Sequence, residues 1–314
     1  NYPPTNANIG SAAGLDSPES VLRLLTAMRA AGYVIDEIPE ISKTFMKLLT
    51  DHATNDRRFM SAQQARDADG HLTAEQYRAF FKELPDRVRA QLEKDWGDAP
   101  GDVFNYDGTL LIPGTLNGNL FITVQPPRGF GEDPGKLLHS PDAAPTHHYI
   151  GYYHWLRDIW RADAVIHVGT HGSLEWLPGK GTGLSNACYP DVSLGDLPDI
   201  YPYWITIVGE GIQAKRRGAA CLISHLSPPM QLAGEFEELA ELEQALDEYV
   251  HFRASQPDNI EAAETLVREK AAACHFEDEI AEGEDFSDYA AALHNYVTDI
   301  KNMQIRTGLH ILGR

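Results

Sequence analysis

Cysteine is scarce: Cys188, Cys221 and Cys274 are the only three in 314 residues, an odd number without close spacing, which sets aside a disulfide framework and a zinc knuckle. They are read as reduced, partly buried thiols. Positive charge is scarce too, with 26 Lys and Arg against 46 Asp and Glu and a formal net charge of −20. Binding along a phosphate backbone depends on clustered cations, so nucleic acid is not an expected partner. No window approaches the roughly 18 uncharged apolar residues of a membrane span, and the N-terminus lacks a basic-then-apolar signal pattern. A soluble, cytoplasmic chain is expected. Internal repeats and low-complexity tracts are also missing. What remains, 43% hydrophobic and 23% charged residues, describes a globular protein with one large core or two moderate ones. The chain starts at Asn1 rather than Met and stops at Ile311-Leu-Gly-Arg314 just as an apolar segment begins, so it is read as a piece of something longer.

Asp16-Ser-Pro18-Glu19 before Val21, Leu22, Leu24, Leu25 and Met28 predicts a capped helix closing at Gly32, followed by an extended Tyr33-Val-Ile35. Residues 39–95 read as mostly helical. Leu110-Leu-Ile and Leu120-Phe-Ile-Thr-Val124, separated by Pro113 to Asn119, predict strand, turn and strand. Tyr149 to Trp160 reads as an aromatic helix feeding a strand at Ala164, and further strands are expected at Trp204–Val208 and Ala219–Ser224. Residues 232–301 read as acidic helices broken at Pro257 and Gly283. The predicted class is α/β, a mainly parallel sheet flanked by helices, with a helical insertion and a C-terminal helical region. The expected division is an N-terminal α/β start with a helical subdomain (1–100), an α/β core carrying the site (101–231) and a helical region (232–314).

Several short patterns fail on their spacing. Asp67-Ala-Asp69-Gly70 resembles half a calcium loop, but aligning Gly70 with the turn glycine leaves Ala65 and Gln76 where carboxylates are needed, so a solvated helix-turn-helix is preferred. Six residues rather than four separate Gly172 from Gly179-Lys180, and Gly181 follows the lysine, which argues against a phosphate loop. His171 and Glu175 share the spacing of zinc-protease helices without the second histidine.

The stretch that keeps its promise is Ala164-Val-Ile-His167-Val-Gly169-Thr-His171-Gly172-Ser-Leu-Glu175, a short buried strand opening into a Gly-bounded loop. Ligands of open α/β sheets sit beyond the carboxyl ends of strands. His171 and Glu175 can offer an imidazole and a carboxylate to a divalent ion, or accept protons; alternatively His171 caps the strand and Glu175 pairs with Lys180. Residue types do not decide between these roles. Glu210-Gly-Ile-Gln213-Ala-Lys215-Arg216-Arg217 offers a carboxylate and three consecutive cations, either a clamp for carboxylates or a solvated helical turn. Asn117, Asn119, Gln125 and Arg128 form a third polar group beside a strand end, and His147 and His148 open the aromatic helix as cap or packing residues.

Taken together, Gly114-Thr-Leu-Asn-Gly-Asn-Leu-Phe-Ile-Thr-Val-Gln-Pro-Pro-Arg-Gly-Phe-Gly-Glu-Asp-Pro134, His139-Ser-Pro, Pro145-Thr-His-His-Tyr, Gly169-Thr-His-Gly-Ser-Leu-Glu-Trp-Leu-Pro-Gly-Lys180 and Gly209-Glu-Gly-Ile-Gln-Ala-Lys-Arg-Arg217 resemble the large, tetrapyrrole-binding subunit of class I ATP-dependent chelatases. The resemblance spans nearly the whole chain in the family's order, and because family members are much longer it marks an internal fragment. Glu175-Trp-Leu-Pro-Gly-Lys and Gly209-Glu-Gly resemble the cobaltochelatase branch, where magnesium chelatase large subunits typically read Glu-Phe-Met-Pro-Gly-Lys and Ser-Glu-Ala.

The resemblance implies a metal chelatase that inserts Co2+ into a hydrogenobyrinic acid diamide-type tetrapyrrole in cobalamin biosynthesis. ATP and Mg2+ are then bound by partner AAA+ ATPase and adaptor subunits, not by this chain, and the fragment alone is inactive. It implies Glu175 and His171 as catalytic residues, and His171, Glu175, His167 and Glu210 around the metal, with His167 behind the others. Asn117, Asn119, Gln125, Arg128, His147, His148, Trp176, Lys180, Gln213, Lys215, Arg216 and Arg217 are implied around the tetrapyrrole, with Tyr152 and Trp155 as further stacking candidates. The alternatives are a magnesium chelatase large subunit acting with Mg2+ on protoporphyrin IX, and a non-catalytic tetrapyrrole-binding module.

Overall fold

The first helix forms where the sequence caps it. After a two-residue antiparallel ladder, β1 (Ser11–Ala12) with β2 (Leu15–Asp16), the Asp16 carboxylate accepts from Glu19 N at 3.0 Å, Pro18 occupies the first turn, and α1 runs Ser17–Ala30. The structure is a computed structural model that describes residues 11–12, 14–52, 68–129, 140–169, 172–204, 208–226, 230–232, 237–255, 259–276, 285–301, 304–306 and 309–313. It divides into two compact units, Asn1–Ser227 with Leu309–Arg314, and Pro228–Gly308.

In the first unit, Leu22 and Leu25 of α1 pack with Ile35 and with Phe45 and Leu49 of α2 (Ser42–His52). Tyr33–Ile35, expected as a strand, joins no ladder. Val34 O instead accepts from Asn119 N at 2.8 Å. The half calcium loop is a strand entering a capped helix: β3 (Gly70–Thr73) leads into α3 (Ala74–Glu83), where Thr73 and Gln76 form a reciprocal capping box. Asp69 is occupied as well, accepting from Leu116 N at 2.8 Å. Of the helix-turn-helix expected here, Gly70–Thr73 is a strand and Ala74–Glu83 a helix, while residues 53–67 lie outside the described residues.

After α4 (Asp86–Trp96) come β4 (Asn105–Tyr106) and β5 (Thr109–Ile112), which with β3 make an antiparallel sheet in the order β3-β5-β4. Residues 110–112 thus do not pair across Pro113–Asn119. The hairpin is tighter, joining β6 (Thr115–Asn117) to β7 (Leu120–Ile122) through Gly118-Asn119. Gly118 has φ +61, as the first position of a type II′ turn demands.

Helix α5 (His147–His154), capped by Thr146, is buried along all eight of its residues and forms the axis of the main core with Leu72, Tyr77, Leu110, Ile112, Leu174 and Leu177. It continues as a π turn (Trp155–Ile159) into β8 (Val165–Ile166). Then come α6 (Tyr189–Leu194), β9 (Asp199–Trp204), α7 (Val208–Arg217) and β10 (Cys221–His225). The strands β10-β9-β8 form a parallel sheet. The α/β class is therefore observed, with parallel pairing in this sheet and antiparallel pairing in the other described ladders. Of the strand expected at Trp204–Val208, Trp204 closes β9 and Val208 opens a helix, while residues 205–207 lie outside the described residues. Pro202 is tolerated in β9 because β8 pairs only opposite Asp199 and Ile200, so at Pro202 just the β10 side carries a ladder.

The second unit pairs β11 (Met230–Leu232) antiparallel with β12 (Gln304–Arg306) and packs α8 (Glu237–Ser255), α9 (Ile260–Ala273) and α10 (Phe286–Lys301) around Leu242, Leu246, Val267, Leu293 and Val297. Its expected helical character is observed. The breaks read at Pro257 and Gly283 lie outside the described residues. No helix among the described residues is long and apolar enough to cross a membrane.

Candidate functional site

The chain leaves β8 at His167, whose N–H donates to Ile200 O at 2.9 Å and so extends the parallel ladder by one bond. This puts the imidazole at the carboxyl end of the parallel sheet, the position where such sheets hold ligands. Its Nδ1 lies 3.2 Å from Asp199 Oδ1 and its Nε2 3.4 Å from the Tyr153 hydroxyl. Burial pushes the imidazole pKa down, but the bond to Asp199 and the charges of Asp199 and Glu175 outweigh it and hold it above the ordinary histidine value.

Past Gly169 the chain turns into a short 3-10 turn, Leu174–Trp176, which carries Glu175. Glu175 is 3% exposed, an unusual fate for a carboxylate, and its Oε1 accepts from Gly172 N at 3.0 Å. A side chain at position 172 would come 3.1 Å from Gln125 Oε1 and 3.4 Å from Glu175 Oε2, so glycine lets the loop close over both. Gln125 Oε1 accepts from Ser173 N at 2.8 Å and from Ser173 Oγ at 3.1 Å, and its Nε2 donates to the Tyr153 hydroxyl at 2.7 Å. The Ser173 hydroxyl also bonds Tyr149 at 3.0 Å. Gln125 and His167 thus share one network, which Glu175 adjoins through the backbone of Gly172 and Ser173.

Two guanidinium groups fix the backbone on the far side of Glu175. Arg128, buried, donates to Trp176 O at 3.2 Å and to Ser140 O and Ala143 O at 2.8 Å each. Arg217 donates to Leu177 O, the next carbonyl along. Burial is the main cause that lowers the pKa of each. Both were expected to face a tetrapyrrole. In the structure they bond main-chain carbonyls instead, to which these cations supply charged donors.

Three other residues expected at the ring also have partners within the fold. Asn117 accepts from Asp36 N and Glu37 N at 2.9 and 3.0 Å and donates to Glu37 O at 2.6 Å, so it staples that segment rather than lining a wall. His147 accepts from the Tyr77 hydroxyl at Nδ1 and donates to Gly97 O from Nε2, both at 2.9 Å. His148, fully buried, donates to Leu111 O at 2.7 Å, and burial drives its pKa down to about 4. Both are packing residues. Tyr152 and Trp155 are core side chains.

Exposed or half-buried are Asn119, Trp176 at 40% exposure, Lys180, Gln213, Lys215 and Arg216, while Glu210 lies in the first turn of α7. His171 lies outside the described residues. Among the described residues no three His, Cys, Asp or Glu side chains converge as a ready-made metal centre. Asp199, Tyr153 and Ser173 were not singled out in the sequence. A lone acid between Pro198 and the apolar Ile200-Tyr201 was the available signal for Asp199, because a carboxylate entering a buried strand needs a partner.

Residues 1–314 match the family described as CobN/Magnesium Chelatase. The chain is 46% identical to an uncharacterized protein of Methanocaldococcus jannaschii, covering all of this chain and 26% of that protein. It is 38% identical to aerobic cobaltochelatase subunit CobN of Pseudomonas aeruginosa (all of this chain, 25% of that protein) and 33% identical to the magnesium-chelatase H subunit of Chlorobaculum parvum (99% and 24%). The catalytic subunit of cobaltochelatase from Mycobacterium tuberculosis superposes with a TM-score of 0.71 at 38% identity, over 97% of this chain and 26% of that one. The chain spans about a quarter of the length of these relatives, and with the match along its entire length it belongs to the CobN/magnesium chelatase family.

Proposed function

We propose that this chain is the part of a cobaltochelatase large subunit that brings a carboxylate to the ion and ring during insertion of Co2+ into a hydrogenobyrinic acid diamide-type tetrapyrrole, a cytoplasmic step of cobalamin biosynthesis. The observation that carries the reading is Glu175: a buried carboxylate beyond the carboxyl end of a parallel sheet, with Gly172 N–H on its oxygen and Arg128 and Arg217 holding the carbonyls that follow.

Insertion strips water from a divalent ion and removes protons from the inner ring nitrogens as the metal–nitrogen bonds form. A single carboxylate held in a dry, oriented loop can take part in both, as ligand to the arriving ion and as acceptor of a leaving proton. Glu175 has this role, His171 is its co-ligand, and His167 stands behind them on Asp199. Glu210 supplies a further carboxylate. Lys215 and Arg216, exposed on α7, engage acidic groups on the ring's rim, with Gln213, Lys180 and Asn119 as polar neighbours, and the exposed Trp176 offers a stacking face. ATP and Mg2+ belong to partner AAA+ ATPase and adaptor subunits.

The cobalt branch rests on the Glu175-Trp-Leu-Pro-Gly-Lys180 motif and on 38% identity to the Pseudomonas cobaltochelatase subunit. The magnesium branch, with Mg2+ and protoporphyrin IX, is the second reading, favoured by 33% identity along 99% of the chain to the Chlorobaculum magnesium-chelatase protein. Reconstituting the full-length subunit with its ATPase partners, and offering each metal with each tetrapyrrole, separates them. Cobalt insertion into the corrin precursor is expected. Magnesium insertion into protoporphyrin overturns the branch, and ring binding without insertion of either metal identifies a binding module.

A further inference from the structure

Asp199 begins β9 and is 5% exposed. An ionised carboxylate is costly to bury without a partner, and His167 Nδ1, 3.2 Å from Oδ1, is that partner. The other oxygen faces the chain leaving α7, where a side chain at Gly218 would come within 3.1 Å of Oδ2. Asp199 is therefore enclosed on two sides.

A chain of contacts leads from the Glu175 loop to this carboxylate. Ser173 N is a fixed donor, so it sets which end of the Gln125 amide is oxygen. Gln125 Nε2 can only donate, so the Tyr153 oxygen accepts from it. The Tyr153 hydroxyl also bonds Tyr149 and lies 3.4 Å from His167 Nε2. His167 closes the chain, its Nδ1 3.2 Å from Asp199 Oδ1, a contact of opposite charges rather than an aligned hydrogen bond.

We propose that Asp199 is a positioning residue for the Glu175 site: it holds the ring of His167 and, through Tyr153, Gln125 and Ser173, anchors the loop that carries Glu175 to the first residue of β9. The proposal rests on the chelatase reading for its chemistry and on geometry for its connections. Removing the carboxylate that orients a histidine costs such sites about 10- to 100-fold in activity or affinity.

The test uses the full-length subunit with its ATPase partners. Asp199→Asn keeps the shape and removes the charge that faces Nδ1. It is expected to lower kcat for insertion about 10- to 100-fold, leave the tetrapyrrole KM within about threefold, and speed amide hydrogen exchange over residues 172–177. His167→Ala and the double variant complete a cycle: because Asp199 acts through His167, the double variant is no slower than His167→Ala alone. Tyr153→Phe breaks the same chain without removing a charge and is read by the same exchange measurement, which covers the case of Asp199→Asn failing to fold. Additive losses in the double variant, equal effects on kcat and KM, or unchanged exchange in Asp199→Asn and Tyr153→Phe each overturn the proposal. Should the wild-type assembly insert no metal, the chelatase reading fails, while the exchange measurement still decides the positioning.

Discussion

Buried side chains in this protein are committed by what the backbone around them lacks. Arg128 makes three bonds to carbonyls that belong to two separated stretches, Ser140 with Ala143 and Trp176. Arg128→Met leaves those carbonyls without their donor, and a loss of about 3 kcal/mol in unfolding free energy is expected from urea denaturation. Arg128→Lys should recover little of it, since a point charge cannot span three carbonyls.

His148 predicts a pH dependence. Its pKa in the fold is about 4, below the ordinary histidine value near 6.5, so as pH falls through this window the unfolded chain gains a proton that the folded one refuses. Stability is full above pH ~6.5 and declines toward pH ~4, by about 3 kcal/mol from this residue. His147 and His154, also lowered mainly by burial, act in the same sense. His167, raised, acts oppositely: its contribution is present below the ordinary value and fades as pH rises through its higher one. Urea midpoints from pH 4 to 7 should show the decline, and His148→Gln, which keeps a donor for Leu111 O but does not titrate, should flatten it.

At the scale of elements, glycine marks where chains touch. In the β6–β7 turn a Cβ on Gly118 would lie 2.2 Å from Val34 O, and the residue sits at φ +61. Gly108 has φ +79 but open space around it. Gly118→Ala should therefore cost about 3 kcal/mol, and Gly108→Ala about 1, in thermal or urea unfolding. Similar losses at both sites would mean that backbone strain, not contact with Val34, is what Gly118 relieves.

The same turn shows what the sequence makes legible. Helix α1 is readable because its cap, proline and apolar spacing lie within one turn of each other, and the Glu175 loop because glycines punctuate it after a β-branched run. The hairpin of residues 115–122 is missed because the apolar run 110–112 looks like its first strand, although long-range pairing with Gly70–Thr73 has already claimed it. Strand β9 is obscured by Pro202, whose tolerance depends on how short β8 is. Asp199 and His167 stand far apart in sequence and meet through strand register. Arg128 and Asn117 have ligand-like side chains, but their partners are main-chain groups that no residue type advertises.

At the scale of the molecule, the chain holds two units with separate cores. The second has its own buried set, Leu242, Leu246, Tyr249, Val267, Leu293 and Val297, and a two-stranded ladder that joins its two ends. Residues 228–308 expressed alone should show helical circular dichroism and a cooperative thermal transition. A gradual, non-cooperative melt would mean that this unit needs the rest of the chain. The charge of −20 is spread over a fold whose basic side chains are few, and two of them, Arg128 and Arg217, are spent on the loop that bears Glu175.

The most direct measurement is metal insertion by the full-length subunit carrying Glu175→Gln, reconstituted with its ATPase partners, beside tetrapyrrole affinity from fluorescence quenching. The substitution keeps the shape and the bond to Gly172 N while removing the charge. Insertion should fall by at least about 100-fold with affinity for the ring within a few fold. Retained insertion, or equal loss of insertion and ring binding, would contradict a catalytic role for Glu175.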